Sequence, residues 1–202
     1  VSAWGIVVAA GRGERFGRPK HLLEIAGITL WERARVTLLA AGVDGVVVVG
    51  DVAGGVPGGE RRRDSVEAGM AVLPGDAEFV LVHDAARPLA SGVLATRVLA
   101  ELRSGDSDAV VPAVAVRDTL KRISGRLVDS TVDRTSLVAV QTPQGFRVAA
   151  LRRAQAADSG DVSDEAVLIE RAGGTVAVVE GETENLKITY PGDLRVAEAL
   201  VS

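Results

Sequence analysis

Trp4-Gly5-Ile6-Val7-Val8-Ala9-Ala10-Gly11-Arg12-Gly13-Glu14-Arg15-Phe16-Gly17-Arg18-Pro19-Lys20 is the stretch that decides the fold. Its first part, Trp4 to Ala9, is a short apolar, β-rich run, and a glycine turn follows it directly. Side-chain-free turns expose backbone N–H groups in a concave arrangement suited to an anion. A tight strand-to-helix turn needs glycine for backbone reasons as well, so Gly11 and Gly13 alone leave both readings open. Two familiar phosphate loops fail: no Gly-Lys-Ser/Thr closes the stretch, and Phe16 stands where the dinucleotide fingerprint needs a third glycine. Arg15 and Lys20 set two cations beside the turn. They can neutralise charge that builds on a phosphate in a transition state, or they are solvated loop charge. Pro19 discourages helix at Arg18, so the segment is predicted to be an ordered loop.

Outward from this stretch, strand-like and helix-like segments alternate through most of the chain. That is the pattern of an α/β protein with a doubly wound, largely parallel sheet covered by helices on both faces. Leu30 to Ala41 reads as a helix, with Thr29 and Glu32 at capping-box spacing and Gly42 as its stop. Val46 to Val49 is predicted as a buried strand. Asp64 or Ser65 caps a helix with Val66, Gly69, Met70 and Leu73 on one side, and Phe79 to His83 is a second buried strand ending at Asp84. A helix from about Gly92 to Arg103 leads into the strand Ala109 to Ala115. The alternation then breaks. Arg117 to Asp133 reads as a β-hairpin turning at Ser124-Gly125, with few apolar residues for a core of its own; a second subunit is a candidate support. Helices near Arg147 to Ala157 and Asp164 to Ala172, strands at Thr175 to Val179 and around Leu186 to Thr189, and a terminal helix after Pro191 complete the reading. No repeat or linker divides the 202 residues, which are taken as one domain with a protruding arm at about 117–135.

Composition narrows the function classes. Hydrophobic residues make up 47% and charged residues 25%, an ordinary globular mix. Cysteine is absent, which excludes disulfides and thiolate metal sites. The net charge of −4 argues against a broad basic face for nucleic acid. No apolar run is long enough to cross a bilayer, and no basic-then-apolar leader is seen, so a cytoplasmic protein without membrane partners is expected. The runs Arg61-Arg62-Arg63 and Arg152-Arg153 are read as solvated faces.

A second constellation, His83-Asp84-Ala85-Ala86-Arg87-Pro88, lies where a strand leaves the sheet at its C-terminal edge, the edge where open α/β sheets bind ligands. Asp84 can hold Mg²⁺, which takes much of its coordination from waters and phosphates, and Arg87 can reach a phosphate. The alternative is Asp84 capping the next helix, paired with Arg87. Asp106-Ser107-Asp108 matches a short acidic motif of many glycosyltransferases, but it precedes its strand and so falls at the opposite edge; it is read as a polar loop. His83 is read as an inward, hydrogen-bonded ring. The shortage of general bases fits a phosphate nucleophile, whose second pKa of about 6 leaves it ionised at neutral pH.

Together these segments resemble the 2-C-methyl-D-erythritol 4-phosphate cytidylyltransferases of the non-mevalonate isoprenoid pathway. The resemblance rests on the glycine loop through Pro19-Lys20, Gly59-Glu60-Arg61-Arg62-Arg63-Asp64-Ser65-Val66, and Val82 to Pro88. It continues through Val116 to Arg122, Thr131 to Arg134, Gln141-Thr142-Pro143-Gln144, Ser163-Asp164-Glu165-Ala166, and Glu180-Gly181 through Asn185 to Thr189. It implies a Rossmann-like nucleotidyltransferase fold and transfer of CMP from CTP to methylerythritol phosphate with Mg²⁺. Arg15 and Lys20 would stabilise the pentavalent α-phosphate, and Arg134 and Lys187 would position the sugar phosphate. Ala9, Ala10, Gly11, Gly13, Glu60 and Ser65 would line the nucleotide site. Asp84 would lie near metal and substrate, with Arg87, Thr119, Thr142 and Ser163 as substrate-side contacts. The hairpin would be an arm exchanged in a homodimer, bringing Thr119 and Arg134 to the neighbouring site. The chain departs from the family pattern in His21 for a usual glutamine, Glu60 for a common aspartate, Ser163 for a usual threonine, and a short, glycine-rich segment between Asp51 and Gly59. Rival readings are a ribitol 5-phosphate cytidylyltransferase, a glycosyltransferase using Asp106 and Asp108, and a catalytically silent nucleotide-binding or dimerisation module.

Overall fold

The computed structural model describes residues 1–11, 16 and 19–201. Strand β1 (Ser2–Val8) is followed by a 3₁₀ turn at Lys20–Leu22 and a small hairpin, β2 (Glu24–Ile25) and β3 (Ile28–Thr29). Helix α1 (Leu30–Ala40) starts at the predicted capping box: Glu32 N–H donates to Thr29 Oγ1 and the Glu32 carboxylate accepts from Thr29 N–H. It stops before Gly42, whose φ of +75° suits glycine. Then come β4 (Gly45–Val49), α2 (Arg62–Ala71), β5 (Ala77–Asp84), α3 (Gly92–Ser104) and β6 (Ala109–Ala115). The arm is β7 (Leu120–Ser124) and β8 (Leu127–Val132). After it run β9 (Val138–Val140), β10 (Gln144–Arg147), α4 (Val148–Ala157), α5 (Ala166–Arg171), β11 (Val176–Glu180) and α6 (Pro191–Val201).

The main sheet has the order β11-β6-β10-β5-β1-β4, with β9 also pairing β6. Five strands share one direction; β9 and β10 oppose it. Alternation along β5 feeds two cores. Phe79 and Leu81 join Ala34, Leu38, Val98, Leu99 and Leu102 beneath α1 and α3. Val80 and Val82 join Val66, Met70, Leu151 and Leu168 beneath α2, α4 and α5. Helices thus cover both faces, as the strand–helix alternation predicts.

Four expectations need correction. β4 is an edge strand in which Val46 and Val47 are only half-buried; an all-valine run shows that both faces of a strand are covered and says nothing about its edges. Leu186 to Thr189 forms no strand: Ile188 N–H donates to the Ala86 carbonyl, and the segment otherwise runs as irregular chain. Helix α2 begins earlier than expected, with Asp64 inside its first turn accepting from Arg61 N–H at 3.0 Å. The arm turns one residue later, at Gly125-Arg126, where Gly125 takes φ +59°.

Candidate active site

The chain passes from β1 to β4 and returns to β5 on the other side of β1, so the strand order reverses there. Such a switch point opens a crevice at the strands' C-terminal ends. Val8 is the register partner of Asp84 in β5 and of Val49 in β4, which places the Ala9-Ala10-Gly11 turn and Asp84 on one edge. A cavity of about 240 Å³ opens there, walled by that turn, Lys20, the N-terminus of α2, Asp84 and Lys187. A second, of about 620 Å³, adjoins it and is walled by Gly50, Asp51, Gly55 and Gly58 of the short, glycine-rich segment. A Cβ on Gly58 would collide with Ala10 and the Ser65 hydroxyl, so glycine is required where this segment crosses the β1 turn. The buried Ser65 hydroxyl accepts from Gly59 N–H at 3.2 Å and fixes the loop between the two cavities.

Charge in the first cavity is arranged around Asp84. One carboxylate oxygen accepts from Arg62 Nε at 2.9 Å and the other from Lys187 Nζ at 2.7 Å. Burial pushes this carboxyl upward, but Arg62 and Lys187 outweigh it and hold it well below the usual carboxylate range. Arg62 also pairs with Glu165, which is fully buried. Burial pushes Glu165 up, with Arg62 opposing. Below Asp84, the Thr142 hydroxyl accepts from the Asp84 amide at 3.1 Å and shares a 2.7 Å hydrogen bond with His83 Nδ1. Burial lowers His83 to about 4, so it is neutral at physiological pH. Lys20 lies over the Phe16 ring and reaches the Ile188 carbonyl at 3.5 Å. The cavity can therefore take a polyanion: it offers cations from three segments distant in sequence, and a buried carboxylate that orients two of them.

A family model described as 2-C-methyl-D-erythritol 4-phosphate cytidylyltransferase matches residues 4–202. The chain belongs to this family. The 2-C-methyl-D-erythritol 4-phosphate cytidylyltransferase of Rhodococcus jostii (strain RHA1) is 46% identical over 214 residues, covering 97% of this chain and 93% of its own length. A bifunctional enzyme IspD/IspF of Nitratidesulfovibrio vulgaris (strain DP4) is 42% identical over 227 residues, and the match covers 57% of that longer protein. The crystal structure of the cytidylyltransferase from Thermus thermophilus superposes with a TM-score of 0.84 at 36% identity, covering 99% of this chain and 98% of that one. The doubly wound α/β architecture read from the residues is thus also that of a solved cytidylyltransferase.

Set against the sequence reading, the cytidylyltransferase fold gathers Ala9, Ala10, Gly11, Lys20, Glu60, Ser65, Asp84 and Lys187 around the first cavity. Gly13 and Arg15 lie outside the described residues. Arg87 is not in the cavity wall: its guanidinium donates to the carbonyls of Asn185 at 2.7 Å and Val140 at 3.2 Å, and braces the chain behind Asp84. Thr142 is buried beneath the site and occupied by His83 and the Asp84 amide. Ser163 is exposed outside the cavity wall. Thr119 and Arg134 belong to the arm region, where Arg134 donates to the Val116 and Arg117 carbonyls. Asp84 pairs with Arg62 and Lys187 rather than with Arg87. The Asp108 carboxylate accepts from Thr175 N–H at 3.0 Å and is structural, as its position at the opposite edge indicated.

Arg62 and Glu165 are not among the predicted site residues. The reading of Arg61-Arg62-Arg63 as a solvated face holds only for Arg61: Arg63 is buried and donates to the carbonyls of Asp158 and Gly160, each at 2.7 Å. The available signal is that Arg62 and Glu165 both fall inside segments that carry the family resemblance. Among the described residues no group of three or more His, Asp or Glu could hold a metal alone. Mg²⁺ needs only one or two carboxylates when phosphates complete its shell. Asp84 is the buried carboxylate at the cavity wall, and it would take that role by exchanging Arg62 or Lys187, which engage its two oxygens, for the ion.

Proposed function

We propose that the two adjoining cavities bind CTP, with its phosphates among the cations and its base against the glycine-walled side, and that methylerythritol phosphate enters past Asp84 and Lys187. The observation that carries this reading is the clamp of Lys187 and Arg62 on Asp84, beside the β1 turn and Lys20. A phosphate oxygen of methylerythritol phosphate attacks the α-phosphorus of CTP. The new P–O bond forms as the bond to the β-phosphate's bridging oxygen breaks, and pyrophosphate leaves. The nucleophile is already ionised, so no side chain has to take its proton; the neutral, buried His83 is not required as a base. Lys20 and Arg15 neutralise charge on the α-phosphate, and Lys187, aimed by Asp84, holds the incoming phosphate. Mg²⁺, held by Asp84 and the triphosphate, would supply further charge neutralisation. The site would be completed across a homodimer by the exchanged arm, which brings Thr119 and Arg134 to the partner's cavity. The exposure of Ile123, Leu127 and Val128 on the arm supports this. A cytoplasmic enzyme is the corresponding setting.

The test is pyrophosphate release, comparing CTP with other nucleotides and methylerythritol phosphate with ribitol 5-phosphate. Release specific to CTP and methylerythritol phosphate is expected. Arg15→Ala and Lys20→Ala should each lower kcat by about 10²-fold or more, with a modest change in KM for CTP. Unchanged turnover in both variants would overturn the catalytic assignment.

A further inference from the structure

His21 is 6% exposed, and among the described residues neither of its ring nitrogens has a hydrogen-bond partner. An imidazole left buried this way costs folding free energy, because its donor and acceptor have given up water for nothing. That cost is offset when a ligand supplies the missing partner. The ring stands on the 3₁₀ turn directly after Lys20 and belongs to the walls of both cavities. Of the other described residues common to the two walls, Ala10, Gly11 and Gly59 have no polar side-chain group, which leaves Glu60, an exposed carboxylate. One cavity carries the cations, and the other is walled by the glycine-rich segment with Asp51, Val52 and Pro57. A nucleotide lying across them has its ribose at the shared wall, because the ribose joins base to phosphates.

We infer that His21 is a specificity-determining residue that hydrogen-bonds the ribose hydroxyls of the nucleotide and so separates ribonucleotides from 2′-deoxyribonucleotides. A neutral imidazole presents one donor and one acceptor, which matches a vicinal diol, whereas the Glu60 carboxylate can only accept. The broad torsion about the ring bond lets either nitrogen turn toward the ligand. The inference rests on the proposed placement of CTP across both cavities.

The experiment measures kcat and KM for CTP and dCTP in the wild type, His21→Phe, His21→Leu and His21→Gln, with methylerythritol phosphate saturating and folding checked by thermal melting. The wild type should show a KM for dCTP about tenfold above that for CTP, the worth of one hydrogen bond. His21→Phe, which keeps a flat ring but no nitrogens, should raise the KM for CTP more than that for dCTP, which loses only its 3′-hydroxyl contact, until the two KM values coincide. His21→Leu guards against a packing fault peculiar to phenylalanine and should behave alike. His21→Gln, which returns a donor and an acceptor, should restore most of the preference for CTP. An equal rise in both KM values, a fall in kcat alone, or a glutamine variant no better than phenylalanine would overturn the inference. Absence of CTP turnover in the wild type would instead overturn the nucleotide placement itself.

Discussion

Glu165 carries more of the site than its place in the sequence suggests. It is fully buried and its partner is Arg62, which in turn holds Asp84. Replacing it with leucine leaves Arg62 with Asp84 alone at the cavity wall; breaking a buried pair costs about 3 kcal/mol, and the cavity's access to Arg62 makes that an upper bound. The urea midpoint of Glu165→Leu should fall accordingly, and kcat should fall with it because Arg62 is then held against Asp84 from one side only; Glu165→Gln should recover part of both. His83 sets a pH dependence. The unfolded ring takes up a proton as the pH falls through 6.5, while the folded one resists until about 4. Its contribution to stability is therefore complete above pH 6.5 and is lost on descent toward pH 4, amounting to at most about 3 kcal/mol. Asp84, held low, adds a loss of the same sign at more acidic pH. Glu165, pushed up, works the other way, so the clean measurement is the difference between wild type and His83→Gln, whose urea-unfolding curves should converge toward pH 4. At this scale the sequence discloses residue types better than contacts. Lys187 and Asp84 stand out in it and do meet; Arg62 does not, because three consecutive arginines look the same whether they face water or protein.

Helix α2 shows how an element delivers such residues. Its Gly69 lies against the sheet, where a Cβ would come within 2.9 Å of Ile6 Cγ2 and 3.0 Å of Val49 Cγ2. That close approach seats the N-terminal turn, with Arg62 and Ser65, at the cavity. Gly69→Val should cost about 1–3 kcal/mol through overpacking. It should also raise KM for CTP, since the helix must lift from β1; thermal melting and steady-state kinetics check both. Elements with local signals are legible: the Thr29–Glu32 box marks the start of α1, and β6 runs over the predicted Ala109–Ala115. Gln144–Arg147 is not legible as a strand, although three of its four residues are buried. A strand with neighbours on both sides needs no alternation, and its polar ends are satisfied by tertiary partners: Gln144 Nε2 donates to Asp164 and Arg147 Nε to the Ser107 carbonyl.

Across the whole molecule, the arm is what the rest of the fold does not use. Ile123, Leu127 and Val128 stay exposed on it, and among the described strands it pairs only with itself. The proposed exchange predicts a dimer in sedimentation and a specific complementation. Inactive Arg134→Ala and Lys187→Ala proteins, once subunits have mixed, should regain about a quarter to a half of the per-site activity, because one of the two sites in a mixed dimer is intact. That statistical estimate follows from two-fold symmetry; no recovery after demonstrated subunit exchange would count against a shared site. The doubly wound architecture can be read from alternation alone. The hairpin can be located but not its partner, since hydrophobic pattern says that a surface is covered and not by what. The insertion of β10 between β5 and β6 has a consequence for how the protein is made. While a ribosome is still adding the arm, the Phe79–Val82 side of β5 and the Ala109–Val110 side of β6 have no neighbour, because the strand that will join them has not been translated. A growing chain therefore carries three open strand edges, those of β5 and β6 that face β10 until residue 147 emerges and the β11 side of β6 until residue 180 does. Ribosomal stalling between the arm and residue 147 is where this protein is most exposed to co-translational aggregation.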